Sequence, residues 1–581
     1  MMGMHIHVIP NRGSRPAVLL RESYRDGDKV KKRTLANLSS LSMEQVDSLR
    51  RILKGERLVP LESLFEVVAS RPHGHVEAVR TAITHLGLAQ VISPRPCRER
   101  SLVLAMVAAR VLAPDSKLAT TRWWHTTTLA EEFGASEATE DDLYAAMDWL
   151  IDRQGAVEKK LAQRHLTPGG LALYDVTSTY LEGGACPLGA FGYNRDGKRG
   201  KKQVNYGLLT DARGCPVAMS VYPGDTGDAG TLLGELKKVR EGFGIGSLVV
   251  VGDRGMVGKR EVEELARQPG MDWISALKGS QVRTLLGTGA IQLGLFDERG
   301  LYEMEHPDYP GERLVVCRNP LVGERRAAVR ESLIEATTKE LEAVRGRVER
   351  GTLVGKDKIG LRVGRVVNRY HVAKHFDLEV GEETFTFRVN AERVAAEAAL
   401  DGIYVIRTSL PREGMDAAEA VRSYKLLAQV ERAFRCWKTL DLEVRPIYHH
   451  LERRVRAHLF LCLLAYYVDW HVQEAWRELL FRDEEVGAKK ERDPIAPAKR
   501  SPSALQKARR RTLPDGSPVE SFHTLLANLS TVVRNTCRRG DATGDAPTFT
   551  LTTVPSPKQQ RALDLVRAIP AVGRNVHTPS A

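Results

Sequence analysis

Apolar positions recur along the chain with three different rhythms. Over residues 1–56 they alternate: Ile6–Ile9 and Ala17–Tyr24 have the pattern of strands, and Asp26-Gly27-Asp28 has the composition of a hairpin turn. From 57 to 170 the spacing becomes three and four, as in Val76–Leu88 and Ser101–Leu112, which predicts helices up to Pro168-Gly169-Gly170. From Leu171 the pattern predicts a strand (Leu171–Tyr180), a hairpin (Gln203–Thr210 with Pro216–Tyr222), a helix (Asp228–Phe243) and an apolar strand (Ser247–Gly252). A helix (Lys259–Gln268) and a strand (Asp272–Leu277) follow. Three strands followed by alternating helices and strands imply a mixed sheet with helices on its faces.

Residues 281–400 interrupt this order. They hold strands at Leu301–Glu305, Arg313–Cys317 and Thr384–Val389, and a charged helix pair around Arg325–Arg350. The α/β pattern resumes with Ile403–Thr408, a long helix over Ala417–Lys438 and another over Leu451–Leu480. Beyond Glu484 the chain is proline-rich and basic, and is expected to be partly disordered. Six segments result: a small β-rich unit (1–56), a helical region (57–170), a sheet core in two parts (171–280 and 401–480), an insertion (281–400) and a basic tail (481–581).

Composition narrows the function. The 581 residues carry 86 Lys and Arg against 73 Asp and Glu, a net charge of +13, which favours a polyanionic partner such as nucleic acid. The longest apolar run, Leu459–Val468, is about half of what a membrane span needs, so it reads as a buried helix. Seven scattered cysteines without a CxxC pair support neither a disulfide framework nor a zinc ribbon, and point to a reduced, intracellular protein without an export signal.

Three carboxylates stand in positions that could carry chemistry. Asp175 shares a strand face with Leu171 and Leu173, where an unpaired carboxylate is costly. The plainer reading is an aspartate accepting from Thr177 or a backbone N–H. Asp253 ends an apolar strand between Gly252 and Gly255, where ligands of open α/β sheets bind. A helix cap is the plainer reading there, and the residues before Lys259 fit it poorly. Glu431 shares one stripe of its helix with Tyr424, Leu427, Arg435 and Lys438, beside the apolar arc of Leu426, Val430, Ala433, Phe434 and Trp437. An Arg435 salt bridge is its plainer reading. Together the three suit two hard divalent cations, Mg²⁺ or Mn²⁺, of the kind that assist phosphoryl transfer. Asp401 is a rival third carboxylate, adequately explained as a turn residue before Gly402.

These residues carry a resemblance. The order strand, hairpin, helix, strand with Asp175, Asp253 and Glu431 resembles the RNase H-like core of insertion-sequence DDE transposases, over roughly 171–470. The helix is similar to the group with the signature Tyr-x2-Arg-x3-Glu-x6-Lys, met by Tyr424, Glu431 and Lys438. Leu427 stands at the arginine position, where Lys425 or Arg435 would supply the charge. Asp175-Val176-Thr177, Asp253-Arg254-Gly255 and Glu431-x2-Phe434-Arg435 also look like that group, and Glu22–Leu38 looks like the start of one subgroup.

The resemblance implies an RNase H-like α/β fold with a β-rich insertion. It implies two Mg²⁺ ions held by Asp175, Asp253 and Glu431, with Tyr424, Arg254, Arg435 and Lys438 contacting DNA. The basic loop Asn194–Lys202, with Lys198, Arg199, Lys201 and Lys202, would grip a phosphate backbone. The partners implied are the element's terminal inverted repeats and target DNA, bound by a homodimer in the cytoplasm at the nucleoid. Two alternatives stand beside a transposase: a non-catalytic DNA-binding relative, and a metal-dependent nuclease without strand transfer.

Overall fold

The computed structural model describes residues 3–56, 64–198, 200–292, 294–485, 487, 493–496, 499–540 and 546–571. The chain divides into two units, 1–71 with 533–553, and 72–532 with 554–581.

In the first unit the strands Met4–Ile9, Ala17–Asp26 and Lys29–Asn37 form an antiparallel sheet. Asp26 pairs with Lys29 across the expected turn, where Gly27 takes φ 62°. Helix Met43–Leu53 follows, capped by Ser42. A second sheet joins Phe65–Pro72 to Val533–Arg539 and Thr548–Thr552, so strands from the tail complete this unit.

The second unit is built on an eight-stranded sheet, ordered 301–304, 313–318, 403–408, 271–276, 248–252, 171–180, 203–211 and 216–223. Strand 248–252 runs parallel to both of its neighbours, and the other pairings are antiparallel. Strands Gln203–Asp211 and Leu248–Gly252 are buried at every position, because helices cover both faces. The long helix Glu452–Ala475 is buried nearly all round. It packs on helices Arg98–Leu112 and Glu140–Ile151 and on strand Pro216–Pro223, and it contains the Leu459–Val468 run. Among the described residues no helix is long and apolar enough to cross a membrane.

One expectation changes. The insertion is mostly helical rather than β-rich: the 30-residue helix Pro320–Glu349 and the 14-residue helix Lys356–Arg369 dominate it. Leu333, Thr337, Leu341, Val344 and Val348 recur every three or four residues as one stripe facing Ile359 and Val363, which is a helical pattern. Its strands 301–304 and 313–318 extend the central sheet, leaving Phe376–Val380 and Phe385–Val389 as its own hairpin. The tail is folded over most of 501–571. Helices Phe522–Ser530 and Pro557–Arg567 bury Leu525, Leu529, Ala562 and Val566, and Trp476 Nε1 donates to the Ala562 carbonyl at 2.9 Å. Charged and polar residues between these few anchors hide the amphipathic stripes. The expected Lys489–Arg511 basic arm falls in part outside the described residues.

Candidate active site

Strand register builds the first half of the site. On the two central parallel strands Tyr174 is the partner of Gly252, so Asp175 and Asp253 are the next residues at the same end of adjacent strands. Neighbouring strands lie about 4.8 Å apart. Asp175 Oδ1 accepts from the Val176 N–H at 2.7 Å. The turn after Asp253 closes through the Met256 N–H donating to its carbonyl, and Ser275 Oγ donates to the same oxygen at 3.0 Å. Gly255 is required in this turn: its φ is 81°, and a Cβ would lie 2.3 Å from Lys278 Cε.

The second half comes from the helices before residue 440. In place of one helix over 417–438 there are two, Ala417–Lys425 and Leu427–Arg435, followed by a wide-turn segment, Cys436–Leu440. Shorter i→i+3 bonds, Leu426 N–H to Ser423 and Gln429 N–H to Leu426, mark the joint. Phe434 and Trp437 anchor the second helix on the sheet. The Trp437 ring stacks on Tyr206 at 5.6 Å, and Phe434 meets Tyr206 edge-on at 5.7 Å. Glu431 and Arg435 are thereby left on the exposed face. Tyr424, before the joint, donates its hydroxyl to Asp253 Oδ1 at 3.1 Å.

Asp175, Asp253, Glu431, Arg435 and Lys438 line one cavity of about 630 Å³. Burial, and then repulsion from Asp253, push the Asp175 carboxyl up to about 7, against the opposing Val176 N–H and Arg195. Lys438 Nζ donates to Thr177 Oγ1 at 2.7 Å and Asp196 Oδ1 at 2.9 Å, and Arg445 pairs with the same Asp196 oxygen at 2.6 Å. Burial holds Lys438 below the usual lysine range.

The other sequence candidates do not line this cavity. Arg254 lines a second cavity of about 660 Å³ with Arg283, Arg325 and Arg326. Lys198 sits 5.9 Å from the Tyr180 ring centre, Lys201 pairs with Glu182 at 2.6 Å, and Lys202 donates to the Gly184 carbonyl. Arg199 is outside the described residues. Asp401 is in a turn, paired with Arg330 at 2.6 Å. Lys425 donates to the Ile495 carbonyl and does not line the first cavity, whereas Arg435 does. Sequence reasoning missed Asp196, Asp228, Arg195 and Arg445, which line the same cavity. Arg195 holds both oxygens of Asp228 at 2.5–2.6 Å. The available signal was Asp196, a lone acid within a basic run.

The donor set is all carboxylate oxygen, and the repulsion felt by Asp175 is of the kind a divalent cation relieves, so the residues fit a hard metal. Their spacing is open: among the described residues, the donor groups that close within 4.8 Å of one another are two other clusters.

Comparison with known proteins gives two family matches. Residues 6–59 match the IS1634 family transposase N-terminal domain, and residues 171–468 match the transposase DDE domain. No curated protein matches the chain. Among solved structures, the chain is similar to the piggyBac transposase in a synaptic complex with hairpin DNA. That match has 8% identity and a TM-score of 0.35 over 78% of each chain, too remote to carry weight. The DDE match spans half of the sequence and contains the whole carboxylate cavity, and on it the chain belongs to the insertion-sequence DDE transposases, enzymes that act on DNA.

Proposed function

We propose that the protein mobilises its own element. It binds the terminal inverted repeats as a homodimer at the nucleoid, cleaves a phosphodiester to free a 3′-OH, and directs that hydroxyl at target DNA. The single observation that carries the reading is the meeting of Asp175, Asp253 and Glu431, from two strands and a helix, in one cavity rimmed by cations. The family depends on divalent metal, and Asp175, Asp253 and Glu431 would hold it, as two Mg²⁺ or Mn²⁺ ions. Bound there, the metal would supply activation of the attacking oxygen and neutralisation of charge on the departing one.

The chain's own groups do the rest. Tyr424 orients the Asp253 carboxylate through its hydroxyl. Asp196 and Thr177 fix the Lys438 ammonium at the cavity wall, where it and Arg435 meet phosphate oxygens. The Arg195–Asp228 pair presents a further guanidinium beside Asp175. We assign recognition of the element's ends to the helical region 57–170, and general backbone contacts to the basic residues of 194–202 and the tail.

Incubating the protein with end-containing DNA, Mg²⁺ and a target plasmid tests this. Nicking at the element's ends followed by joined product is expected. Cleavage without joining would make the protein a nuclease, and end binding without cleavage would make it a non-catalytic relative.

A further inference from the structure

Asp469 lies one residue beyond the apolar run of the long helix and is 0% exposed. A carboxylate so placed calls for a charged partner. Among the described residues it has no salt bridge. Gln473, one turn on, donates to both of its oxygens at 2.9 and 3.0 Å, and Arg482, which attracts it from farther off, pairs instead with Glu474. What approaches Asp469 is the Asp441 carboxylate, which repels it, and the Cys436 thiol, which donates to its Oδ2. Donor atoms of Cys436, Asp441 and Asp469 all lie within 4.8 Å of one another. Cys436 Sγ is 3.5 Å from Asp469 Oδ2, and His523 Nε2 is 3.1 Å from Asp441 Oδ1. His523 lies outside that close cluster. With Zn–S of about 2.3 Å and Zn–O of about 2.0–2.1 Å at tetrahedral angles, sulfur–oxygen edges are about 3.5 Å.

We propose that Cys436, Asp441 and Asp469 form a site for a zinc-type divalent cation, distinct from the carboxylate cavity, with His523 steadying the Asp441 ligand from outside the cluster. A thiolate donor selects a d-block ion over Mg²⁺. The cation would neutralise the Asp441 and Asp469 carboxylates and draw its three protein ligands together. Cys436 begins the wide-turn segment directly after the Glu431 helix, Asp469 is on the long helix, and His523 is on helix Phe522–Ser530. The ion would therefore staple the base of the Glu431 helix to the long helix, and the Asp441–His523 pair would brace it against helix Phe522–Ser530. The second close cluster, His165, Cys215 and His471, is a weaker candidate, because the Arg213 guanidinium lies 3.4 Å from His165 Nδ1 and brings positive charge to the place a cation would take.

The full-length protein, stripped with a chelator, is titrated with Co²⁺. Thiolate-to-cobalt charge-transfer absorption is expected at one equivalent, displaced by Zn²⁺ and not by Mg²⁺. Cys436→Ser should abolish it, and Cys215→Ser should leave it. His523→Ala, at a half-exposed position, should fold and weaken Co²⁺ binding about tenfold or more. Asp469→Asn should remove the rise in Tm that Zn²⁺ produces. An absent band overturns the proposal, and so does one that survives Cys436→Ser. DNA cleavage is not a readout here, so failure would leave the transposase reading untouched.

Discussion

Asp175 and Asp253 leave the central sheet side by side, because their preceding residues, Tyr174 and Gly252, are register partners on parallel strands. One face of the site is thus fixed by backbone hydrogen bonding, and only Glu431 depends on helix packing. Asp175→Asn, Asp253→Asn and Glu431→Gln keep side-chain shape and remove an anionic donor. Each should reduce end cleavage by more than about 100-fold, since even residues that only orient metal ligands are worth about 10–100-fold. DNA affinity in a gel-shift assay should stay near the unmodified value. Mg²⁺ should raise the Tm of the unmodified protein by binding its folded state, and this gain should shrink in each variant. Cleavage retained by Glu431→Gln would transfer the third role to another acid of the cavity, Asp196 or Asp228.

Tyr424 tests orientation apart from charge. Tyr424→Phe deletes only the hydroxyl that donates to Asp253. Cleavage should fall about 10–100-fold, with a higher Mg²⁺ concentration needed for half-maximal rate and Tm nearly unchanged. A fall in rate with no change in the Mg²⁺ requirement would place the hydroxyl on DNA instead.

Leu427 marks where sequence reasoning stopped being sufficient. Asp175 and Asp253 were legible because a strand's period of two and its end are visible in a short apolar run. Glu431 was legible from helical spacing. The joint at Leu426 was not, since it arises from how two helices seat on the sheet rather than from a breaker residue. Continuing one helix puts Leu427 on the polar stripe with Tyr424 and Glu431, and would make Leu427→Arg, the family's residue, harmless. In the structure Leu427 is 8% exposed and part of the core. Leu427→Arg should therefore destabilise the protein by about 1–3 kcal/mol, the range for burying a polar group without a partner, read from the denaturant midpoint. The same limit applies to Asp196 and Arg195, whose places depend on a loop that no periodicity describes.

Lys117 gives a prediction about pH. It is 3% exposed at the start of helix Lys117–Trp123, and burial, followed by repulsion from Arg110, lowers it to about 7. His449 and His458 face the same cluster and are held neutral by burial and by Lys117 itself. The unfolded chain binds the lysine proton up to its ordinary value of 10.5, and the folded chain releases it near 7. Between these values the unfolded state holds more protons, so this group's contribution to stability rises with pH. Below about 7 both states are protonated and the unfavourable burial of the charge is present in full. Other groups titrate in the same window, buried cysteines and tyrosines among them, so the informative quantity is the difference between the protein and Lys117→Met. The variant should be the more stable of the two near pH 7, and its advantage should diminish steadily towards pH 10, by about 1.4 kcal/mol per pH unit at most. Denaturant melts at pH 7, 8, 9 and 10 measure this. A stability difference that does not change with pH would mean that Lys117 keeps its proton in the folded protein.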